Sequence, residues 1–259
     1  MFTQTINPII YEWGPLSIRW YGLLLAVGLV IAFALLVKIF KENNIKTELA
    51  LDLAIWLTLG GLVGARLGYA LFYEFDFYIA NPWEIIYYNH GGLSSHGMAL
   101  GLILAFIIFV KIKKADWRKI IDLAVIPLPL LAAFIRLGNF INSEVVGRPT
   151  DLPWGVEFPA HEIFPVARHP VQLYEALIAL AVFAALYAVY KKYYQKLPQL
   201  FIFNLFLLVY FLTRFILEFF KEYQVIAPEH VLTMGQVLSI PFIIWSAGWF
   251  IWQHKKKNA

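Results

Sequence analysis

The sequence predicts an all-α, polytopic membrane protein with about seven transmembrane helices. Of its 259 residues, 61% are hydrophobic and only 15% are charged, and the mean hydropathy is +0.67. A soluble domain is usually about 25% charged. Apolar runs of about 20 residues, the length a helix needs to cross a bilayer, recur along the chain. A soluble fold would need a core with almost no surface, so that class is excluded.

Seven segments have the length and hydropathy expected of membrane spans. The N-terminus lacks the basic region of a signal peptide, so the first segment is expected to be a retained helix. No repeat or low-complexity tract separates the segments, and we expect a single integral membrane domain over residues 1–259. The predicted spans are 17–39, 49–73, 93–112, 119–137, 170–190, 198–220 and 234–253.

Basic residues predict the orientation of the spans. Two thirds of the 21 lysines and arginines fall in four clusters between or after the apolar runs, at 38–46, 111–119, 191–196 and 254–259. Such clusters face the cytoplasm, which predicts an external N-terminus and a cytoplasmic C-terminus. The net charge of +4 is therefore assigned to topology, and we expect no nucleic-acid partner.

The segments predicted to be external have a different composition from the spans. They are rich in Pro, Asn, Gly, His and aromatic residues, which suit a membrane–water interface. One of them, about 138–169 between the fourth and fifth spans, is too long for a simple connector. We expect it to form a small external cap. The predicted external segments are 1–16, 74–92, 138–169 and 221–233.

Ionisable residues stand on the predicted spans, where each costs at least ~2.5 kcal/mol on insertion scales. Arg66 follows glycines whose spacing favours close helix packing, and both a structural and a functional role stay open for it. Tyr210, Arg214 and Glu218 recur every four residues and so share one helix face. Arg214 and Glu218 form either an intrahelical pair or part of a functional site.

The residues at the start of the third span suggest a metal site and a serine hydrolase site, but the sequence gives little support for either. His90 and His96 are six residues apart, which is poor helical spacing for a shared metal, and no zinc motif accompanies them. Ser94 or Ser95 beside His96 would suit a serine hydrolase, but the sequence lacks the G-x-S-x-G motif. The chain has no cysteine, which excludes disulfides, thiolate metal sites and a cysteine nucleophile on this chain.

The stretch "RLGNFINSEVVGR", from Arg136 to Arg148, is the strongest signal. Its glycines, Gly138 and Gly147, permit close backbone approach, and its arginines offer planar forks suited to phosphate. Its asparagines and Glu144 can orient those forks or bind hydroxyls. The cluster predicts a site for an anionic lipid headgroup. The alternative is an interfacial arginine that binds lipid without chemistry.

Six blocks together resemble the bacterial prolipoprotein diacylglyceryl transferases. The central block "RLGNFINSEVVG" is very similar to the family signature Arg-x-Gly-Asn-Phe-x-Asn-x-Glu-x-x-Gly. The chain departs from the family at Ile135, where Gly is usual, at Met98, where Gly is often found, and at Lys221, where some members have Arg. The other blocks, in the family's order, are "RWYGLLLAVG", "GARLGYALFY", "HGGLSSHG", "RHPVQLYE" and "YFLTRFILEFF".

The resemblance implies transfer of the diacylglyceryl group of phosphatidylglycerol to the lipobox cysteine of a preprolipoprotein. A thioether forms and glycerol 1-phosphate is released, in the first step of bacterial lipoprotein maturation. It also implies a multi-pass protein of the bacterial inner membrane, in contact with membrane lipids. No metal or organic cofactor is expected.

The resemblance and the chemistry together suggest roles for particular residues. Arg136 and Arg214 would hold the phosphate and stabilise its departure, and His96 is the candidate base for the thiol. Tyr210 completes the expected catalytic set. The residues expected to bind phosphatidylglycerol, besides the two arginines, are Tyr21, Asn139, Asn142, Glu144 and Gly147, and those expected to support the site are Arg66, Gln172, Tyr174 and Glu218.

Two rival functions use the same residues. An anionic-lipid or organic-anion transporter would use the arginine cluster for passage, although the chain lacks the inverted repeat of many transporters. An intramembrane serine hydrolase would use Ser94 or Ser95 with His96. The products formed from phosphatidylglycerol and a lipobox peptide distinguish all three.

Overall fold

The computed structural model describes residues 2–14, 16–87, 91–162, 164, 166–222 and 232–258. Seven helical segments in this part of the chain are long and apolar enough to cross a membrane. The predicted polytopic all-α class is confirmed. The chain forms two compact units, residues 37–120 and residues 1–36 with 121–259. The predicted external segment 221–233 and His90 lie largely or wholly outside the described residues.

The helices agree with the predicted spans to within a few residues at most ends. Each basic cluster lies at or just beyond the C-terminal end of a span, as with Lys41 in the last turn of the first helix. The helices are α1 Trp20–Glu42, α2 Glu48–Phe72, α3 Phe75–Ala80, α4 Ser95–Lys113, α5 Trp117–Ala124, α6 Leu128–Ile141, α7 Val171–Tyr193, α8 Phe201–Leu217 and α9 Met234–Asn258.

The fourth span differs from its prediction as one continuous helix over 119–137. It consists of α5 and α6, separated by a turn at 125–127. Pro127 and Pro129 lie at this junction, and each lacks the N–H that would continue the hydrogen-bond ladder of α5. The second helix then runs on to Ile141, so the first residues of the predicted cap segment are helical.

Within unit 37–120, α2 and α4 pack backbone to backbone along a line of glycines. A Cβ atom at Gly64 would lie 2.4 Å from the carbonyl oxygen of Gly97, and one at Gly101 would lie 2.1 Å from that of Gly60. The predicted close packing at the α2 glycines is confirmed. The connection between these helices contains α3 and a 3₁₀ turn, Pro82–Ile86.

In the other unit, small residues and a carboxylate position the helices around the signature. Ala133 of α6 packs against Ala176 and Ala179 of α7, which brings these helices close together. At the start of α8, the carboxylate of Asp122 accepts hydrogen bonds from the backbone N–H groups of Leu200 and Phe203, at 2.8 and 2.7 Å. A residue distant in the chain thus satisfies donors that a helix start leaves open.

Two small sheets lie outside the spans and were not predicted. In the first, β4 (Val156–Glu157) pairs with β1 (Phe2–Thr3) and β5 (Ala167–Arg168). Phe140 and Val146 pack with Val156 and Phe158 beneath it. In the second, β2 (Ile9–Trp13) and β3 (Leu16–Arg19) form an antiparallel hairpin just before α1. Most of these strands are two residues long, too short to leave an alternating pattern in the sequence.

Candidate active site

The signature folds into the last turns of α6 and a tight turn after it. Ser143 and Val145, on either side of Glu144, have φ values of 56° and 55°. Left-handed backbone is uncommon for residues other than glycine and exceptional for a β-branched one. The turn is fixed by Gln172 on α7, whose fully buried amide donates a 2.7 Å hydrogen bond to the carbonyl of Glu144.

Side chains of the signature form a hydrogen-bonded chain that ends at Arg136. Asn139 and Asn142 each donate to a carboxylate oxygen of Glu144, at 2.9 and 3.2 Å. The side-chain oxygen of Asn139 accepts a 3.2 Å hydrogen bond from Nη1 of Arg136. Glu144 therefore orients the side chain of Asn139, and Asn139 in turn orients the guanidinium of Arg136. Together they hold Arg136 in place.

A carboxylate that the sequence analysis did not assign to the site lies on the other side of Arg136. Glu175 of α7 forms an ion pair through Oε2 with Nε of Arg136 at 2.8 Å, outside hydrogen-bond geometry. Its other oxygen lies 2.6 Å from Nζ of Lys221, which is 3.6 Å from Glu218. These four side chains are largely buried, and a carboxylate shared by two cations keeps both in place.

A small cavity of about 40 Å³ lies between α6, α7 and α8. Arg136 and Glu175 line it from α6 and α7, and Tyr210 and Arg214 line it from α8. A pocket for a small-molecule ligand usually measures about 300–1,000 Å³, so a lipid needs this cavity to widen. The remaining lining residues are Ala132, Ile178, Ala179, Val182, Thr213 and Leu217.

Arg214 differs from Arg136 in its surroundings. Among the described residues it forms no ion pair, and the intrahelical pair with Glu218 considered from the sequence is not present. The charged groups lining the cavity are two arginines and one glutamate, which leaves an excess of one positive charge. An enclosed positive charge in a low-dielectric surrounding favours an anion, and a phosphodiester carries a single negative charge.

The chain resembles known proteins over nearly its whole length. A model of the prolipoprotein diacylglyceryl transferase family matches residues 8–252. The chain belongs to this family. The phosphatidylglycerol–prolipoprotein diacylglyceryl transferase of Tolumonas auensis is 39% identical over 248 residues, covering 94% of both chains.

Two further relatives carry the same name, from Bacteroides fragilis and Coxiella burnetii. They are 36% and 38% identical, and the matches cover 97% and 99% of this chain and 95% and 100% of theirs. The chain is thus a transferase, and its seven spans and bacterial relatives make it a multi-pass protein of the inner membrane.

Several predicted residues of the transferase lie close to the signature. A Cβ atom at Gly138 would meet the ring of Tyr21 at 2.7 Å, so α1 packs here against α6. Gly147 lies equally close to the backbone of His169, since a Cβ atom there would lie 2.4 Å from its carbonyl oxygen. The glycines permit close approach, as expected, and the predicted lipid contacts of Gly147 and Tyr21 stay predictions.

Tyr174 and Glu218 make contacts beside the cavity. The hydroxyl of Tyr174 accepts a 2.8 Å hydrogen bond from Trp154 of the cap segment and lies 3.3 Å from Nδ1 of His169. Burial lowers the pKa of His169 and so favours its neutral form. The carboxylate of Glu218 lies against Gly235, where a Cβ atom would approach it to 2.6 Å. The supporting role expected of both residues stays a prediction.

Arg66 and His96 belong to the unit 37–120. The buried guanidinium of Arg66 donates to the backbone carbonyls of Glu84, Ile85 and Tyr87 at 2.6–3.0 Å, and also to those of Gly91 and Gly92. It thereby secures the segment that leads to α4, which favours the structural role. His96 lies exposed in the first turn of α4, and its role as base stays a prediction.

The hydroxyl of Ser94, a residue of the rival hydrolase, caps α4. It is buried and accepts a 3.2 Å hydrogen bond from the backbone N–H of Gly97. A side chain in this position stabilises a helix start, which gives Ser94 a structural role.

Sequence reasoning missed Glu175 and Lys221 as members of the site, and Arg168 as the centre of the cap. The position of Glu175 at the start of a span could have indicated a role in the site, because a carboxylate in a membrane span is expected to have a partner. Lys221 was noticed only as a departure from the family. Their partners are remote in the sequence, so only the fold reveals the pairs.

Arg168, in the cap segment, donates four hydrogen bonds. It forms a two-pronged contact with Glu162 at 2.7 and 3.0 Å, and it also donates to Glu222 and to the carbonyl of Gly147. The hydrogen bonds from Arg168 lower the pKa of Glu162. The buried guanidinium of Arg168 is therefore one of the contacts that fasten the cap segment to the signature.

Proposed function

We propose that the chain moves the diacylglyceryl group of phosphatidylglycerol to the thiol of the lipobox cysteine of a preprolipoprotein. The names of the relatives support both substrates, since each relative is a phosphatidylglycerol–prolipoprotein diacylglyceryl transferase. The observation that carries the proposal is the cavity in which Arg214, without an ion-pair partner among the described residues, lies near the oriented Arg136.

The reaction is a displacement at a glyceryl carbon. The cysteine sulfur forms a bond to this carbon, the carbon–oxygen bond to phosphate breaks, and glycerol 1-phosphate leaves with the electron pair. A free thiol has a pKa of about 8.5 and is mostly protonated at neutral pH. A base must therefore accept its proton. We assign this role to His96, the second of the two histidines in the family-like block "HGGLSSHG" and the one that lies within the described residues.

The arginines act on the leaving group. Negative charge grows on the phosphate oxygen as the carbon–oxygen bond breaks, and two guanidinium groups held in advance stabilise that charge. Glu144 and Asn139 hold Arg136 on one side and Glu175 holds it on the other, which limits reorganisation during the reaction. Tyr21 and Tyr210 add hydroxyl groups for the headgroup.

The purified protein, incubated with phosphatidylglycerol and a cysteine-bearing lipobox peptide, tests the proposal. We expect a thioether-linked diacylglyceryl peptide and one glycerol phosphate for each peptide modified. A serine replacing the peptide's cysteine should give no product and serves as the control. Anion flux across vesicles without product, or hydrolysis of lipid or peptide, would instead select the transporter or the hydrolase.

A further inference from the structure

Over residues 11–13 and 16–18, the β2–β3 hairpin has one apolar and one polar face. Its cross-strand pairs include Tyr11 with Ile18 and Trp13 with Leu16. Opposed residues of an antiparallel pair point to the same side, as do residues two apart in a strand. These four side chains therefore share one face. Glu12 and Ser17 pair on the opposite face, where Arg19 lies within 3.5 Å of Ser17.

The apolar face is uncovered by the rest of the chain. The relative exposures are 61% for Tyr11, 75% for Trp13, 68% for Leu16 and 55% for Ile18. A contiguous exposed apolar patch usually marks a surface that another apolar phase covers. Tyr and Trp prefer the boundary between water and hydrocarbon, because each has an apolar ring and a polar group.

The position of the hairpin indicates which phase covers the patch. Strand β3 ends at Arg19, and α1, the first membrane span, begins at Trp20 without a linker. The backbone N–H of Trp20 donates a 3.0 Å hydrogen bond to the carbonyl of Pro8, just before β2. Both ends of the hairpin are thus fastened to the start of a span, and the start of a span lies at the bilayer interface.

We propose that this hairpin is a membrane-interface anchor. Its apolar face binds the lipid surface at the headgroup–acyl boundary, with Trp13 and Leu16 embedded, while Glu12, Ser17 and Arg19 stay hydrated. The anchor fixes the depth and rotation of the first turn of α1. That turn carries Tyr21, which packs against Gly138 of the signature. The proposal concerns a lipid contact and does not depend on the proposed reaction.

Site-directed spin labelling tests the anchor, and the absence of cysteine from the chain makes each introduced cysteine the only label site. Trp13→Cys and Leu16→Cys report the apolar face, and Glu12→Cys and Ser17→Cys are matched controls on the opposite face. The labelled full-length protein is reconstituted into phosphatidylglycerol–phosphatidylethanolamine vesicles. Collision of each nitroxide with oxygen, which concentrates in lipid, is compared with collision with a water-soluble nickel chelate.

We expect oxygen to dominate at positions 13 and 16 and the nickel chelate to dominate at positions 12 and 17. Tyr11→Cys and Ile18→Cys repeat the measurement with the other anchor residues intact, in case a variant at 13 or 16 does not fold. Equal access of the nickel chelate to both faces would overturn the proposal. So would spin–spin broadening that dilution with unlabelled protein removes, which indicates a second copy, or protection that appears only with lipobox peptide.

Discussion

Arg136 and Arg214 reach one cavity from different helices, and we predict that transfer needs both. Arg136→Ala and Arg214→Ala should each reduce the rate a hundredfold or more, since one lost charge-stabilising donor typically costs about 3 kcal/mol. Lysine at either position should rescue poorly because it lacks the planar fork. Transfer to a lipobox peptide by purified variants, with folding checked by thermal melting, gives the measurement. Near-normal transfer by a folded Ala variant would refute the role of that arginine.

Lys221 gives a second prediction, because it competes with Arg136 for Glu175. Lys221→Met leaves Glu175 to neutralise Arg136 alone, so we expect kcat/KM to fall by about tenfold, the equivalent of about 1.4 kcal/mol, chiefly through a higher KM for phosphatidylglycerol. Lys221→Arg keeps the charge and should remain close to the unmodified protein. Titration of phosphatidylglycerol at fixed peptide concentration separates the two parameters. An unchanged KM in a folded Lys221→Met protein would contradict this account.

Among the elements, the glycine line between α2 and α4 is the most sensitive to side-chain volume. Gly64→Val should prevent α2 and α4 from packing, because its Cβ atom would lie 2.4 Å from the Gly97 carbonyl. We expect aggregation or a large fall in melting temperature in detergent. Gly248→Val is the matched control, since a Cβ atom there meets nothing within 4 Å. A Gly64→Val protein that melts like the control would disprove the close contact.

The cap gives a prediction about pH. Arg168 lowers the pKa of Glu162, so the folded cap favours the ionised carboxylate. The stabilisation is complete above the ordinary carboxyl pKa of about 4.3 and is lost as pH falls through the lowered value. The difference in melting temperature between the unmodified protein and Glu162→Gln should therefore shrink on acidification below that range. Asp151→Asn, an exposed change in the same segment, should show no such trend, and a difference that persists in acid would refute the assignment.

At the scale of the whole molecule, the sequence predicts an external N-terminus and a cytoplasmic C-terminus. The described residues contain seven spans, an odd number, with basic clusters at the ends of the first, third, fifth and seventh. Alternating crossings place all four clusters on one side. Reporter fusions after Lys46, Lys119, Lys196 and Ala259 should all report the cytoplasm. One external report from an intact fusion would break the topology.

The spans and the signature could be predicted because their signals are local. Hydropathy identifies the helices, glycine spacing identifies the α2 face, and the signature holds Arg136, Asn139 and Glu144 within a stretch of nine residues. The β2–β3 hairpin, the sheet of β1, β4 and β5, and the Glu175–Lys221 pair depend on residues that meet only after folding. No periodicity or motif encodes such pairs, so their partners stay invisible in a single sequence.

Ser143 and Val145 give the turn after α6 a thermodynamic role of its own. A left-handed conformation costs a residue other than glycine on the order of 1–3 kcal/mol, and this cost arises when the chain folds, before any lipid arrives. Glu144, the residue between them that we propose binds the headgroup, is already restricted before a headgroup enters. The turn is thus ordered during folding, before the substrate binds. Less of the substrate's interaction energy is then needed to order the protein.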